Sequence, residues 1–328
     1  MSLKRIFNPI KNFFIFLFTF KPFKWYKIPL ILLLLYIIAT PVIMFLNHTF
    51  PEFFTVESDA EKAGVIFSST LIRMGDEMLG SWLPNDIIYP TIFLDNPQNF
   101  QLGELEIARY AIRVLRDKLS RLRTTDTIDE NCEQAFVYIS NDPHRWLFPS
   151  AEDRFSRAFK ELNKYRERLE KGTANFYPRV DNLIELLDQV NSLLGGVNTR
   201  LSNAPPDQEY ALSEETAGDQ FSEGERRVKT KVQWTKIDDN FYYAKGVAYG
   251  LRQLMYAIKY EFKEVLEIKK SMELVDKIID LLNVCQFEPI YVANGSRGSL
   301  WANHSLALLA TTEDIRQKIG SLQRMLQN

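Results

Sequence analysis

A run of nineteen uncharged residues, Ile28 to Leu46, constrains this chain more than any other feature of its sequence. The run reads IPLILLLLYIIATPVIMFL. A helix needs about 20 apolar residues to cross the hydrocarbon core of a bilayer. The sequence therefore predicts a transmembrane helix over residues 28–46. Pro29 falls in its first turn, where proline is tolerated, whereas Pro41 predicts a kink or an early end of the helix.

The charges around this run predict how the chain is oriented in a membrane. The run is longer than the ~7–15-residue apolar core of a cleaved signal peptide, and no small-x-small cleavage pattern follows it, so we expect a retained anchor. Six Lys and Arg residues precede the run, and the first acidic residue of the chain is Glu52. By the positive-inside rule, the N-terminus lies in the cytoplasm and the rest of the chain across the membrane.

The basic and aromatic segment 1–27 predicts a further membrane contact. Residues 12–20 read NFFIFLFTF, a stretch too short to span a bilayer. We expect an interfacial helix with its Phe rings at the acyl boundary and with Lys11 and Lys21 at anionic headgroups. The alternative is a tight two-pass hairpin, which would place the rest of the chain on the cytoplasmic side. In either case the lipid bilayer is a predicted partner.

Composition excludes several classes of function for residues 47–328. Their 34 basic and 42 acidic side chains give a net charge of −8, which opposes nucleic-acid binding. Two Cys cannot build a disulfide framework. The three histidines, His48, His144 and His304, are too widely spaced for a typical zinc cluster, so neither a metal nor a cofactor is expected.

Helical periodicity runs through nearly all of residues 47–328 and predicts an all-α fold. We expect the transmembrane helix to be followed by one elongated helical bundle, because each amphipathic stripe needs a partner. Three predicted helices have boundary signals: one runs from the capping box Ser58-x-x-Glu61 to Leu79, one from an N-cap at Ser150 to Lys171 before Gly172, and one from Pro178 at N1 to Gly195-Gly196. The other predicted helices are Glu104–Arg123, Ile128–Ile139, Ile237–Leu266, Leu274–Val284 and Leu306–Leu326.

Two segments interrupt the helical pattern. Three prolines between Trp82 and Gly103 exclude a continuous helix there, and the apolar content of the segment favours an ordered loop. The segment from about 202 to 233 contains Pro205-Pro206 and separate acidic and basic clusters with few large apolar residues. It predicts a flexible, disordered linker.

The loop Asn294-Gly295-Ser296-Arg297 and the following Asn303 and His304 form the first candidate site. A glycine-rich loop before a helix can present free N–H groups to an anion, and Arg297 adds a charged donor. The alternative is an interhelical turn in which Asn303 or Ser305 caps the last helix. No P-loop pattern occurs in this region.

Two further candidates have alternatives of the same kind. His304 with Ser305 invites a catalytic interpretation, with Glu313 or Asp314 as the orienting acid, but the alternative is a capping or buried hydrogen-bonded histidine. Arg109, Arg113 and Arg116 form a stripe that could bind a phosphate, a carboxylate or an acidic helix. Alternatively the stripe is solvated or paired with acids of neighbouring helices.

Small residues and cysteines raise two structural questions. Gly246-x-x-x-Gly250 resembles a membrane dimer motif, but the nearby Lys245 and Arg252 favour a close helix approach within a soluble bundle. Cys132 and Cys285 would face an oxidising compartment and could form one bridge, with buried free thiols as the alternative.

Several stretches of the sequence together carry a resemblance to a known family. They are Leu83-Pro84-Asn85-Asp86, Leu94-Asp95-Asn96, Arg109 with Leu115-Arg116, Ser120-Arg121, Ile237-Asp238-Asp239-x-Phe241-Tyr242-x-Ala244-x-Gly246 and Ala302-Asn303-His304-Ser305-Leu306. In this order they resemble an uncharacterised, membrane-anchored family of Gram-negative bacteria, the domain-of-unknown-function family DUF2333. The resemblance covers about Ser69 to Leu309 and implies a bacterial inner-membrane protein, without assigning catalytic or binding residues. Similar proteins carry more glycine where Arg297 and Ser299 stand here.

These observations lead to two expectations of function. The first is a non-enzymatic, single-pass inner-membrane protein whose domain binds a protein or another envelope component and could form a homo-oligomer. The second is an envelope enzyme or anionic-ligand-binding domain that uses the loops 82–103 and 294–305, because polar turn residues in apolar surroundings are unusual for mere connectors. The second requires the two loops to meet in the fold.

Overall fold

The computed structural model describes residues 27–47, 50–56, 62–86, 94–123, 125–204, 236–289, 291–294 and 302–328, without the side chains of residues 27 and 44–47. Within these ranges the fold is all-α, as predicted, with ten α-helices and no β-strand. The chain divides into two compact units. One contains Met1–Thr49 with Ile88–Leu94, and the other, here called the body, contains Phe50–Ile87 with Asp95–Asn328.

The described part of the first unit is helix α1, Lys27–Asn47. Pro41 lies inside α1 without ending it, so the predicted early end is wrong. Thr40 Oγ1 donates to the carbonyl of Tyr36 at 2.8 Å. No helix among the described residues is both long enough and apolar enough to cross a membrane. The predicted span 28–46 continues beyond the described side chains, and the predicted interfacial stretch 12–20 lies outside the described residues.

The body contains nine of the helices within its described residues. Their bounds are α2 Val65–Leu79, α3 Asp95–Val114, α4 Glu130–Ile139, α5 Ala151–Glu170, α6 Val180–Ser202, α7 Ile237–Glu261, α8 Lys263–Ile268, α9 Met272–Val284 and α10 His304–Gln327.

Helix α2 begins later than its capping-box pattern predicted. It starts at Val65 after Gly64, which has a left-handed φ of 89°. Ser58 and Glu61 lie outside the described residues. The side chain of Glu261 accepts hydrogen bonds from the backbone N–H groups of Gly64, Ile66 and Phe67. A residue from the end of α7 therefore performs the capping that was expected of a local box.

Helix α3 begins nine residues before the predicted start at Glu104. Pro97 lies in its first turn, where a missing backbone N–H costs no helical hydrogen bond, so the prediction of a loop up to Gly103 is wrong. The helix continues beyond Val114 as a π-helical turn, Leu115–Leu119, and not to Arg123. The rest of that loop is described only at Trp82–Asp86 and Leu94.

The next two helices were both predicted, the second of them from its capping residue. Asp129 caps α4 by accepting from the N–H groups of Asn131 and Cys132. Ser150 caps α5 through the N–H of Asp153, as predicted. Gly172 follows α5 with a φ of 70°, the conformation that favours glycine after a helix.

Two predictions for the ends of α6 are wrong. The helix begins at Val180 with Arg179 as its N-cap, so Pro178 precedes the helix instead of occupying N1. It also runs through Gly195 and Gly196 to Ser202. A Cβ at either glycine would meet no atom within 4 Å, so neither glycine serves a close contact. Ala204 is buried, and residues 205–233 of the predicted linker lie outside the described residues.

The C-terminal helices largely match their patterns. The predicted helix from Ile237 to Leu266 is divided at Phe262 into α7 and α8, because Phe262 leaves the helical conformation with φ −103° and ψ 20°. Asn303 caps α10 by accepting from the N–H of Leu306. The capping alternative for Asn303 is therefore confirmed.

Glycines permit the closest helix crossing of the body. A Cβ at Gly246 of α7 would collide with the backbone of Phe100, and a Cβ at Gly103 of α3 would collide with the backbone of Tyr243 and Val247. Gly250 packs less tightly, because a Cβ at this position would lie 3.1 Å from the Cβ of Ile107. These contacts confirm the close helix approach predicted for the Gly246-x-x-x-Gly250 motif.

The same contacts define the direction of the helices. Residues that contact each other follow the same order along α3 and along α7, so the two helices run parallel. Along α2 and α5 the pairs advance in opposite senses, because Gly75 meets Phe159 and Trp82 meets Phe155. The N-termini of α3, α5 and α7 and the C-terminus of α2 consequently lie at one end of the body, here called the entry end.

The two cysteines are both free and buried. Burial raises the pKa of both thiols, that of Cys285 to about 12. Of the two alternatives left open by the sequence, the structure shows the buried free thiols.

Candidate functional site

Arg109 of the predicted arginine stripe binds the end of a neighbouring helix. Its Nε donates to the carbonyl of Ile139 at 2.9 Å and its Nη2 to the carbonyl of Asn141 at 2.5 Å. Its Nη1 lies 3.3 Å from Oε2 of Glu106. The guanidinium therefore satisfies carbonyl groups at the negative end of the α4 dipole.

Arg113 and Arg116 both contact one aromatic ring of α4, that of Phe136. The guanidinium carbon of Arg116 lies 3.9 Å from the ring centroid of Phe136, and that of Arg113 lies 5.7 Å from it. A hydrogen bond to Asp117 at 2.7 Å raises the pKa of Arg116, with Glu133 3.6 Å away. All three arginines thus contact α4. Of the predicted pairing with acids of neighbouring helices, the structure shows the approach of Arg116 to Glu133.

The predicted anion site is described only at the two flanks of its loop. Gly295, Ser296 and Arg297 lie outside the described residues. Asn294 and Asn303 pair as an isolated antiparallel bridge. The backbone N–H groups at the start of α10 already have protein acceptors, since His304 N donates to Ala293, Ser305 N to Asn294 and Leu306 N to Asn303. An anion at this helix N-terminus would have to displace those oxygens.

His304 and Ser305 do not form a nucleophile–base pair in this structure. The Nδ1 of His304 accepts from the N–H of Ala293 at 3.0 Å. Ser305 is fully buried, and its Oγ has no hydrogen-bond partner among the described residues. Glu313 pairs with Arg316 and Asn198, and Asp314 pairs with Lys318. The geometry is that of a hydrogen-bonded histidine at a helix start.

The two loops of the second functional expectation contact different parts of the body. Trp82 Nε1 donates to the carbonyl of Pro143, and Asn85 Nδ2 donates to the carbonyl of Arg145 and to Glu152. His304, in contrast, lies beside Phe287, with ring centroids 6.3 Å apart. These contacts therefore join the described residues of the two loops to different partners.

A segment that sequence reasoning left without a role provides a more defined site. Residues Phe50 to Val56, here called the strap, have no regular secondary structure and directly follow the first unit. Three strap rings pack against α7 and its neighbours. Phe50 stacks on Tyr242 at 5.4 Å, Phe53 stacks on Tyr249 at 5.6 Å, and the guanidinium of Arg73 lies 4.5 Å from the ring of Phe54.

Two buried cations of α7 hold the same segment. Lys245, only 2% exposed, places Nζ 4.3 Å from the ring centroid of Phe50 and 3.4 Å from Oε2 of Glu288. Arg252 lies 4.0 Å from the ring centroid of Phe53 and donates to the carbonyl of Phe54 at 3.2 Å. Burial lowers the pKa of both cations. Burying two cations is costly, and the strap supplies much of the compensation.

The spacing of residues along α7 indicates this site in the sequence itself. Residues Tyr242, Lys245, Tyr249, Arg252 and Tyr256 follow one another in steps of three and four, so they share one face of α7. Aromatic and cationic residues alternate along that face. In the sequence, Lys245 and Arg252 argue against a membrane dimer motif, and the structure places both of them in the core.

A buried carboxyl group lies behind the strap. Glu104 of α3 is 1% exposed, and its Oε1 has no hydrogen-bond partner among the described residues. Burial, and secondarily the charge of Glu77, raises its pKa well above the usual range of a carboxyl group. The hydroxyl of Tyr249 bridges Oε2 of Glu77 and the carbonyl of Glu52, each at 3.0 Å. Burial therefore favours the neutral form of the Glu104 carboxyl group.

A small cleft borders the strap on its C-terminal side. It has a volume of about 110 Å³ and is lined by Phe54, Thr70, Gln253, Tyr256 and Tyr260 among others. The part of the chain that the structure describes contains no group of three His, Cys, Asp or Glu side chains placed to hold a metal ion.

Comparison with known proteins gives one match. The family model described as an uncharacterized protein conserved in bacteria (DUF2333) matches residues 21–328. No curated protein and no solved structure matches the chain.

Proposed function

Because the chain belongs to the bacterial family DUF2333, we propose that it is a membrane-anchored envelope protein that acts by binding a partner and not by catalysis. The apolar run 28–46 is the proposed anchor. By the positive-inside rule, the six preceding positive charges support a cytoplasmic N-terminus and a periplasmic body. The partner is a protein or another envelope component.

The strap is the observation that carries this proposal. A solvated tether would leave residues after an anchor free, whereas here the residues from Phe50 onward are held by stacked rings and two buried cations. Only residues 47–49 separate the proposed span from Phe50. Such a short connection, about 3.3–3.6 Å per residue at most, would keep the body at the membrane surface. That arrangement suits a protein that presents a fixed surface to envelope partners.

Cysteine labelling tests the proposed topology. Ile268 is 77% exposed, so Ile268→Cys offers one accessible thiol, while Cys132 and Cys285 are buried. The reagent should be unable to cross the inner membrane and should be added to intact cells with a permeabilised outer membrane. We expect labelling of the variant but not of the native chain. Labelling only after lysis would overturn the periplasmic assignment and favour the two-pass hairpin.

Two fractionation measurements complete the test. We expect the full chain to remain in the membrane after carbonate extraction, and its release would refute the anchor. The mass of the detergent-solubilised chain distinguishes one copy from a homo-oligomer.

A further inference from the structure

Three consecutive apolar side chains project from the loop between α4 and α5. Trp146 is 53% exposed, Leu147 52% and Phe148 93%. Single exposed apolar residues are common on protein surfaces, but adjacent large ones usually mark a contact surface. Residues Trp146–Phe148 are here called the apolar tip.

The base of the apolar tip is fixed by hydrogen bonds. The N–H of Ala151 donates to the carbonyl of Arg145 at 2.7 Å and closes the loop. Asn85 Nδ2 also donates to the carbonyl of Arg145, and Nδ1 of His144 lies 2.9 Å from the carbonyl of Pro84. The protein therefore holds these three side chains outward instead of allowing them to fold back onto the core.

A series of contacts between neighbouring residues links the apolar tip to Phe50, where the chain enters the body. Phe50 packs on Phe100 with ring centroids 4.9 Å apart. Beside Phe100, Gln101 Oε1 accepts from the N–H of Leu83. Two residues later, Asn85 binds Arg145, which precedes Trp146. The apolar tip and Phe50 thus share the entry end of the body.

From this placement we propose that the apolar tip inserts into the surface of the bilayer that holds the anchor, as a second membrane contact of the body. The inference rests on the proposed function, because the short connection 47–49 keeps the entry end close to lipid and gives the tip a high effective concentration there. Trp, Leu and Phe are suited to the headgroup and acyl boundary. The result is an oriented body that cannot swing freely about its anchor.

The charges near the tip specify how it binds lipid. Three acids and two arginines lie between Asp142 and Arg154, and Asp95, Asp238 and Asp239 are also at the entry end. Attraction to anionic headgroups is therefore not the driving force. Apolar burial predicts insertion into uncharged, zwitterionic bilayers that persists at high salt.

An environment-sensitive fluorophore on the full chain tests the insertion. Leu147→Cys carries the probe at the tip, and Ile268→Cys is the matched control. Ile268 is also an exposed apolar residue. It lies in α8, beyond the C-terminus of α7 and away from the entry end. Both labelled chains are reconstituted in zwitterionic proteoliposomes that contain lipids with a spin label near the headgroup.

At position 147 we expect a blue shift and a marked loss of fluorescence with the spin label near the headgroup. The loss should be smaller when the spin label is at the end of the acyl chain. At position 268 we expect no loss. Iodide in the aqueous phase should quench position 268 more strongly. Equal iodide quenching at both positions would overturn the proposal. Protection of position 147 that depends on the protein-to-lipid ratio, without quenching by spin-labelled lipid, would also overturn it and indicate a second copy as the occupant.

Flotation of the same proteoliposomes separates the two proposals. If the chain floats and resists carbonate while position 147 stays aqueous, the tip contact fails but the anchor stands. If the chain does not integrate at all, the proposed function itself fails.

Discussion

Gly64 and Glu261 lie 197 residues apart in sequence, and the N–H of Gly64 donates to Oε2 of Glu261 at 2.7 Å. The other carboxyl oxygen accepts from the N–H groups of Ile66 and Phe67 at 2.9 and 3.1 Å. One side chain from the end of α7 thereby satisfies three donors at the start of α2, where the positive end of the helix dipole also favours a carboxylate. The antiparallel packing of α2 on α7 depends on this contact.

Glu261→Ala should lower the free energy of unfolding of the full chain in detergent by about 2 kcal/mol, because it leaves three partly buried N–H groups without an acceptor. Thermal denaturation measures the change. Glu264→Ala is the matched control, since Glu264 is an exposed residue in the first turn of α8 and should cost only a few tenths of a kcal/mol. Equal losses in the two variants would contradict the capping role.

Glycine-to-alanine changes should have opposite signs at two sites. Gly246→Ala places a Cβ against the backbone of Phe100, which cannot move without separating α3 from α7, and should destabilise the body by about 2 kcal/mol or more. Gly195→Ala meets only open space inside α6 and should stabilise it by roughly 0.5–1 kcal/mol. Melting temperatures of the two variants decide this, and a stabilising Gly246→Ala would refute the close crossing.

The elements that sequence predicted well are those whose signals are local. Ser150 caps its helix through the N–H of Asp153, three residues away, and Asn303 does the same for Leu306. Such contacts are encoded by spacing along the chain. The start of α2 and the full length of α6 were missed because a distant Glu261 supplies one cap, and because glycine is tolerated inside a packed helix.

The candidate site was harder to predict for a related reason. The spacing of Tyr242, Lys245 and Tyr249 shows that they share a face of α7, but nothing in the spacing identifies the strap as the element that covers them. The arginine stripe shows the same limit. Its regular spacing is equally consistent with a bound phosphate and with the carbonyl groups of α4, and only the fold distinguishes the two.

Glu104→Gln should flatten part of the pH dependence of stability. Burial raises the pKa of Glu104 in the folded chain, with Glu77 and Tyr249 as the facing titratable groups. As the pH rises above about 4.3, the unfolded chain releases this proton while the folded chain retains it, so stability falls by up to about 1.4 kcal/mol per pH unit until the folded pKa is reached. Gln keeps the size of the side chain and removes the proton.

Denaturation of the native chain and Glu104→Gln at several pH values tests this linkage. The variant should be the more stable protein at pH 8, and the difference should shrink as the pH approaches 4. Glu106→Gln serves as the control, because Glu106 is on the same helix with its side chain 30% exposed. A constant difference between native chain and Glu104→Gln across the pH range would exclude a retained proton.

Arg252→Ala should release the strap. The change removes the hydrogen bond to the carbonyl of Phe54 and the contacts with the rings of Phe53 and Tyr256 at 4.0 and 4.3 Å. Loss of about 1–2 kcal/mol of local stability corresponds to roughly tenfold faster opening of the segment. Chymotrypsin cleavage after Phe53 or Phe54 under native conditions should accelerate by that factor, because a protease cleaves only the opened form.

Arg73→Ala is the matched control for the strap. Arg73 contacts Phe54 at 4.5 Å, but its side chain is 53% exposed and its ion pair with Glu77 faces solvent, so cleavage should change by no more than about twofold. Cleavage after Phe155, which is fully buried in α5, provides an internal reference for global unfolding. If Arg252→Ala accelerates cleavage at Phe155 and in the strap to the same extent, the cation stabilises the whole body. If only the strap becomes sensitive, Arg252 acts as a local clamp on the residues that follow the proposed anchor.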